Sequence, residues 1–269
     1  MRVFAFCTVL SYENRRNMFS QANKSESKAA QIDGGMVVMI KQSTEPTAEG
    51  VRNACEQFAG DINGPDPALF ELFERTPKNT DYKHVLLKVV TLNALYSTLI
   101  RVYSKITPTV YEVAHHIVSI GDEIDYGLKD GLPDIVRKIS IINKGGKNFY
   151  NYSFATKYCS FHRPESYPIY DSRVYEYLRR LRNRDKHKDG GFRQFKNEEL
   201  WVYPQFKSIV DEFRTHYGLQ KFTYKQIDAF LYLEGGKFFG PKESAVVAVS
   251  EPKHISPDVR TPEAEQPVS

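Results

Sequence analysis

The chain has 269 residues, a formal charge of +4, 41% hydrophobic and 26% charged side chains, an ordinary globular mix with length enough for a sizeable core. Its longest apolar runs, Val3–Leu10 and Met36–Ile40, are far short of a membrane helix, and the first lacks a small-residue cleavage site, so a cytoplasmic protein is expected. Three scattered cysteines with no C-x-x-C pair (Cys7, Cys55, Cys159) argue against a disulfide scaffold, a cysteine zinc site and a four-cysteine cluster.

Residues 1–80 alternate short apolar runs with breakers at Gly34-Gly35, Pro46, Gly60, Gly64-Pro65 and Pro77, which suits short helices and loops packed on the rest of the chain. From Asp81 the period is helical: Val85, Leu86, Val89, Val90, Leu92, Leu95, Tyr96, Leu99 and Val102 recur at three- and four-residue steps. Pro108 punctuates. Val110–Ile120 reads as a second helix stopping at Gly121-Asp122, and 133–142 as a third ending in Asn143-Lys144-Gly145-Gly146-Lys147. Next comes a helix over Ser153–His162, with Phe154, Ala155, Tyr158 and Phe161 on its buried side and Ser153, Lys157 and Ser160 opposite. Pro164 and Pro168 frame an extended link; Asp171 then opens a helix over Ser172–Arg184. Two amphipathic helices follow, Asn197–Tyr217 and Thr223–Leu233, stopped by Gly235-Gly236. With no convincing two-residue alternation, the expected class is all-α. The tail from Pro241 is rich in Pro, Ser and Glu, carries a net −2 and reads as disordered, leaving a main domain over 81–240.

Charge is uneven along this frame. Arg137–Lys188 holds 13 Lys/Arg against four acidic residues, a net +9, with ten Tyr/Phe interleaved. That mixture suits phosphate contact with base stacking, and equally a solvated basic face over an aromatic core.

The order helix, Lys-Gly-Gly-Lys turn, helix, proline-framed link and Asp at a helix start resembles the helix-hairpin-helix DNA glycosylases over about 81–240. The likeness rests on Leu92-Asn93-Ala94-Leu95-Tyr96-Ser97-Thr98, on Tyr152-Ser153-Phe154-Ala155-Thr156-Lys157-Tyr158-Cys159, on Tyr167-Pro168-Ile169-Tyr170-Asp171-Ser172-Arg173-Val174, and on Gln226-Ile227-Asp228-Ala229-Phe230-Leu231. The third block is similar to the family's Pro-Val-Asp-x-x-Val segment. Among family branches the chain resembles divergent members with the 8-oxoguanine-glycosylase fold, including bacterial phage-defence enzymes that act on glucosylated hydroxymethylcytosine.

The resemblance implies a helix-hairpin-helix helical domain, a DNA partner and no cofactor or metal. It also implies hydrolysis of the N-glycosidic bond of a modified base, leaving an abasic site. No membrane or obligate protein partner is inferred. Asp171 takes the catalytic carboxylate's place, stabilising positive charge on the sugar and orienting water; an ordinary N-cap is the plain alternative. The family's backbone-cutting members carry a lysine upstream at a fixed spacing. Here Ser153 falls at that place and Lys157 lies 14 residues before Asp171, so a monofunctional enzyme is expected, with Lys157 the weaker catalytic candidate. Lys144, Gly145, Gly146, Lys147 and Asn148 would meet a phosphate, and Arg173 and Arg180, within the basic run to Lys188, the duplex. Tyr150, Tyr152, Ser153, Tyr167 and Tyr170 are the candidate lining for a flipped base. Asp228 reads as a tie between helices, and His115-His116 has no partner at ligand spacing. The competing functions are repair of a damaged purine, a DNA-binding module of the same fold without chemistry, and an interaction protein whose basic segment meets an acidic partner.

Overall fold

The structure is a computed structural model; it describes residues 45–59 and 64–239. The predicted tail and the two N-terminal apolar runs lie outside the described residues. Ten α-helices are described: α1 Ala48–Ala59, α2 Pro65–Arg75, α3 Tyr82–Tyr96, α4 Val110–Ser119, α5 Gly121–Lys129, α6 Asp134–Ser140, α7 Tyr152–His162, α8 Ser172–Asp185, α9 Tyr203–His216 and α10 Tyr224–Gly236. A short hairpin, β1 Ile141–Lys144 and β2 Lys147–Tyr150, interrupts them, and a 3₁₀ turn Asn197–Trp201 leads into α9. The protein is therefore mostly helical.

Local chemistry sets the helix ends. Asp81 caps α3 by accepting from the His84 N–H at 3.1 Å, and Thr109/Glu112 and Thr223/Gln226 form capping boxes on α4 and α10. The period from Asp81 predicts helix out to Val102, but α3 stops at Tyr96. Ser97 turns left-handed (φ 48°), and Asn93 takes over the chain beyond by bonding both the N–H and the carbonyl of Ile100. The expected stop at Gly121 is a change of direction: α5 begins there, where a Cβ on Gly121 would lie 2.4 Å from the Asn79 carbonyl oxygen. The third helix ends at Ser140, earlier than its periodicity suggests, because Ile141–Tyr150 folds into the antiparallel hairpin. Gly145 and Gly146, at φ 58° and 74°, supply the two-residue turn that only glycine makes cheaply. The predicted 197–217 helix is two pieces, the 3₁₀ turn and α9, with Pro204 in the first turn of α9.

The described residues up to Phe238 belong to a first compact unit, and Phe239 to a second. In the first unit α10 packs on α8 and α1, α3 on α4, and α7 on α2, α3 and α6. The core holds Leu69, Phe73, Val85, Val89, Tyr158, Tyr177, Phe206, Phe213 and Phe230, all essentially closed to solvent. The α8–α10 contact fixes where the site will form, and it depends on Gly235. A Cβ there would sit 2.1 Å from the Arg173 carbonyl oxygen. Gly235→Ala is expected to pry α10 off the first turn of α8 and cost about 3 kcal/mol or more, as overpacked cores do. Thermal unfolding of the variant checks this, and an unchanged midpoint would contradict the close approach.

Candidate active site

Asp171 is where the chain turns from the proline-framed link into α8. Its backbone is extended, and its Oδ1 accepts the N–H groups of Arg173 and Val174, each at 2.9 Å. One oxygen makes both caps, so the capping bonds are compatible with a reactive role. The carboxylate faces the positive end of α8, a favourable place for negative charge. The preceding link is stitched to α7: the Tyr170 N–H donates to Thr156 Oγ1 (3.1 Å), Thr156 Oγ1 donates to the Tyr170 carbonyl (3.3 Å), and the Tyr203 hydroxyl donates to the Pro168 carbonyl. Those bonds hold Asp171 in register with the residue after Thr156, which is Lys157.

Periodicity places Lys157 on the polar side of α7. The structure corrects this: Lys157 is 4% exposed, and nearly all of α7 is buried because α2, α3 and α6 enclose it. Its Nζ donates to Ser153 Oγ at 2.8 Å, and the Tyr96 ring lies 5.9 Å away. Burial lowers the ammonium's pKa, against the pull of Asp171 and Asp228, which favour the charge; Lys225 adds to the lowering. A lysine with reduced basicity beside carboxylates is the amine that acid–base or nucleophilic chemistry requires.

Asp228 on α10 completes the group. It is coupled electrostatically to both Lys157 and Asp171, and its Oδ1 is buried with no hydrogen-bond partner among the described residues. Burial pushes its carboxyl up to about 7, Lys225 opposing and Asp171 reinforcing the rise. Lys225 Nζ is 3.9 Å from Asp228 Oδ2 and 2.7 Å from Asp66 Oδ2, and Asp66 in turn accepts the Tyr96 hydroxyl. Two lysines, three carboxylates and a tyrosine thus converge from α2, α3, α7, α8 and α10. Sequence reading missed Asp66, Tyr96 and Lys225. The only hint was their charge and hydroxyl: Tyr96 lies thirty residues from Asp66, and Lys225, three residues from Asp228, lies 159 from Asp66.

The other candidates fare differently. The hairpin tip Gly145–Gly146 is exposed with open space around it, and Lys147 is exposed. Their N–H groups lie in a β-turn, however, and α7 starts later, at Tyr152, so the expected phosphate cradle at a helix start is not formed there. Asn148 accepts from the Asn143 amide at 3.1 Å. Lys144 is committed to the fold. Its Nζ donates to the Ser104 and Thr107 carbonyls (3.0 Å each) and to Glu112 Oε2 (2.9 Å), using all three ammonium hydrogens to brace the loop after α3. Arg173 stacks 4.0 Å over Tyr232, while Arg180 bonds Glu176 at 2.5 Å and covers Phe238. In the run to Lys188, Arg179 also bonds Glu176, Arg182 bonds the Phe195 carbonyl and Asn197, and Arg184 and Lys188 share Asp185. The run is thus more internally neutralised than its net charge suggests.

Of the expected base-pocket residues, Ser153 is bound to Lys157 and Tyr150 is 39% exposed. Tyr167 is core, with no exposed surface and its hydroxyl on the Gly127 and Leu132 carbonyls. Tyr152 and Tyr170 are also buried, ring to ring at 4.8 Å, in a cluster with Trp201 and Tyr203. Aromatic side chains in a helical domain bury for area first, which periodicity cannot separate from a pocket role. His115 stacks on Tyr82, and His116 Nε2 bonds the Lys138 carbonyl. Among the described residues no group of three or more His, Cys, Asp or Glu is arranged to hold a metal ion, and no helix is long and apolar enough to cross a membrane.

Residues 51–166 match a family model described as HI_0787_N, N-terminal domain. A Haemophilus influenzae (strain ATCC 51907 / DSM 11121 / KW20 / Rd) protein described as uncharacterized is 40% identical over 138 residues, 51% of this chain and 63% of the relative. This chain thus spans less than two thirds of that relative's length. No solved structure matches. The matched family region contains Asp66, Tyr96 and Lys157, whereas Asp171, Lys225 and Asp228 follow it, so the cluster draws on both parts of the chain.

Proposed function

We propose that the protein is a DNA glycosylase that hydrolyses the N-glycosidic bond of a modified base and leaves an abasic site. The observation that carries this reading is the juxtaposition of Asp171, held at a helix start by one oxygen, with the buried amine of Lys157. Breaking a glycosidic bond builds positive charge on the sugar, and an anchored carboxylate beside it lowers that barrier without reorganising. The helix order and the Tyr-Pro-Ile-Tyr-Asp segment, which resemble the helix-hairpin-helix glycosylases, support the same assignment. A bulky modified pyrimidine of viral DNA, such as glucosylated hydroxymethylcytosine, is the favoured substrate, and phage defence the favoured role. A damaged purine is the rival within the class.

The test is to incubate the protein with unmodified and heavily modified phage genomes and assay freed bases by mass spectrometry and alkali-labile sites by strand cleavage. Base release from the modified genome alone is expected. Salt-sensitive DNA binding with no base released from any substrate would replace the enzyme by a binding module.

A further inference from the structure

Asp228 is built differently from a structural tie. A carboxylate that ties helices together has its oxygens hydrogen-bonded, whereas Asp228 Oδ1 is buried and unpartnered, and its nearest cation, Lys225, stands 3.9 Å from Oδ2 and is drawn to Asp66 at 2.7 Å. Five groups act on it: Lys225 from its own helix, Lys157 from α7, Asp171 at the start of α8, Asp66 from α2 and the Tyr96 hydroxyl at the end of α3. With Asp228 and the four charged groups around it ionised and Tyr96 neutral, three carboxylates face two ammonium groups. One additional proton makes the cluster neutral, and the side chain without a hydrogen bond to stabilise its anion is the one that takes it.

We propose that Asp228 is the general acid of the site, giving its proton to the departing nucleobase, and that Asp171 is the group that handles the water. This rests on the glycosylase reading. In the step, the C1′–N bond breaks and its electron pair moves to the base, where the base or an exocyclic atom takes the proton from Asp228. Water adds to C1′, its proton passes to Asp171, and transfer from Asp171 back to Asp228 restores the starting state. The sum is substrate plus water giving free base and abasic sugar. A neutral acid and an ionised carboxylate set apart by their surroundings is the division of labour that glycoside hydrolysis uses.

A carboxyl held protonated by burial leaves a thermodynamic trace. Its pKa is raised on folding, so the folded state keeps a proton that the unfolded chain releases, and stability falls as pH climbs from the ordinary carboxylate range to about 7. Asp228→Asn copies the neutral acid without being able to ionise. It is expected to raise the unfolding midpoint by several degrees at pH 8 and by less than half as much at pH 5, where only part of the penalty has accrued. In infrared difference spectra, the full chain should show a protonated-carboxyl C=O stretch that titrates near neutrality and is missing from the variant. Base release by Asp228→Asn should drop about 10²–10⁴-fold and lack the alkaline decline expected of the wild type, with Asp228→Glu restoring part of the rate. A variant less stable at both pH values, or the absence of the titrating band, overturns the proposal in favour of a helix tie. If the wild type frees no base from any substrate, delivery to a nucleobase falls with the glycosylase reading, while the band and the midpoint shift still decide whether Asp228 holds the proton.

Discussion

Asp171→Asn is expected to reduce base release on the order of 10³-fold or more while leaving the fold and duplex binding in place. The separation follows from the geometry. Oδ1 accepts the Arg173 and Val174 N–H groups, and an asparagine oxygen accepts them equally well, since Asn ranks with Asp as a helix cap. What the substitution removes is the negative charge at the positive end of α8 and beside Lys157. Single-turnover assays on modified DNA measure the loss, and unfolding midpoints confirm that the helix is still capped. Intact excision with an intact fold would reduce Asp171 to a cap and remove the centre of the site.

Lys88→Met carries the second large effect, on stability rather than chemistry. Lys88 is fully buried, and its Nζ donates to the Thr76 carbonyl (3.0 Å), the Lys78 carbonyl (3.1 Å) and Asn79 Oδ1 (2.9 Å), with His162 Nε2 at 3.2 Å. The Phe73 and Tyr158 rings each lie 5.4 Å away. One side chain therefore satisfies the end of α2 and the turn into α3, and couples them to α7. Methionine fills the volume but strands these acceptors, at a cost of about 3–5 kcal/mol. Burial lowers the Lys88 ammonium to about 7, Asp125 opposing. A lysine with a depressed folded pKa disfavours folding while it is charged, so this penalty is full below pH 7 and is relieved as pH rises toward the ordinary lysine range. The wild type should accordingly gain stability from Lys88 between about pH 7 and 10, and the variant should lose that slope. Chemical denaturation at several pH values checks both; a variant as stable as the wild type would mean the network contributes nothing net.

Legibility tracked range along the chain. Asp171 and its helix could be read because cap, proline link and helix are local. The helical period located α4, α7, α8 and α10 for the same reason, with shifts of a few residues at their ends. The hairpin escaped because its strands are four residues long, too short for an alternating pattern, and Gly145-Gly146 stops a helix as plausibly as it turns a hairpin. Lys157 was misplaced because one helix's periodicity cannot report that three other helices close over its polar side. Lys144 looked like a phosphate contact for a related reason: its acceptors, Ser104, Thr107 and Glu112, come from a loop and helix start more than thirty residues upstream. The buried cluster around Asp228 is the extreme case. Asp66 and Asp228 are 162 positions apart, and nothing in their neighbourhoods marks them as partners through Lys225.

Developing positive charge at a sugar carbon, met by the Asp171 carboxylate, is a claim that can be measured without knowing the base. Two duplexes suffice, one with a cationic pyrrolidine in place of the deoxyribose at a single site and one with the neutral tetrahydrofuran. The cationic duplex is predicted to bind the wild-type protein about 10²-fold or more tighter than the neutral one, and Asp171→Asn to erase that preference. Equal affinity of the wild type for the two would contradict the account.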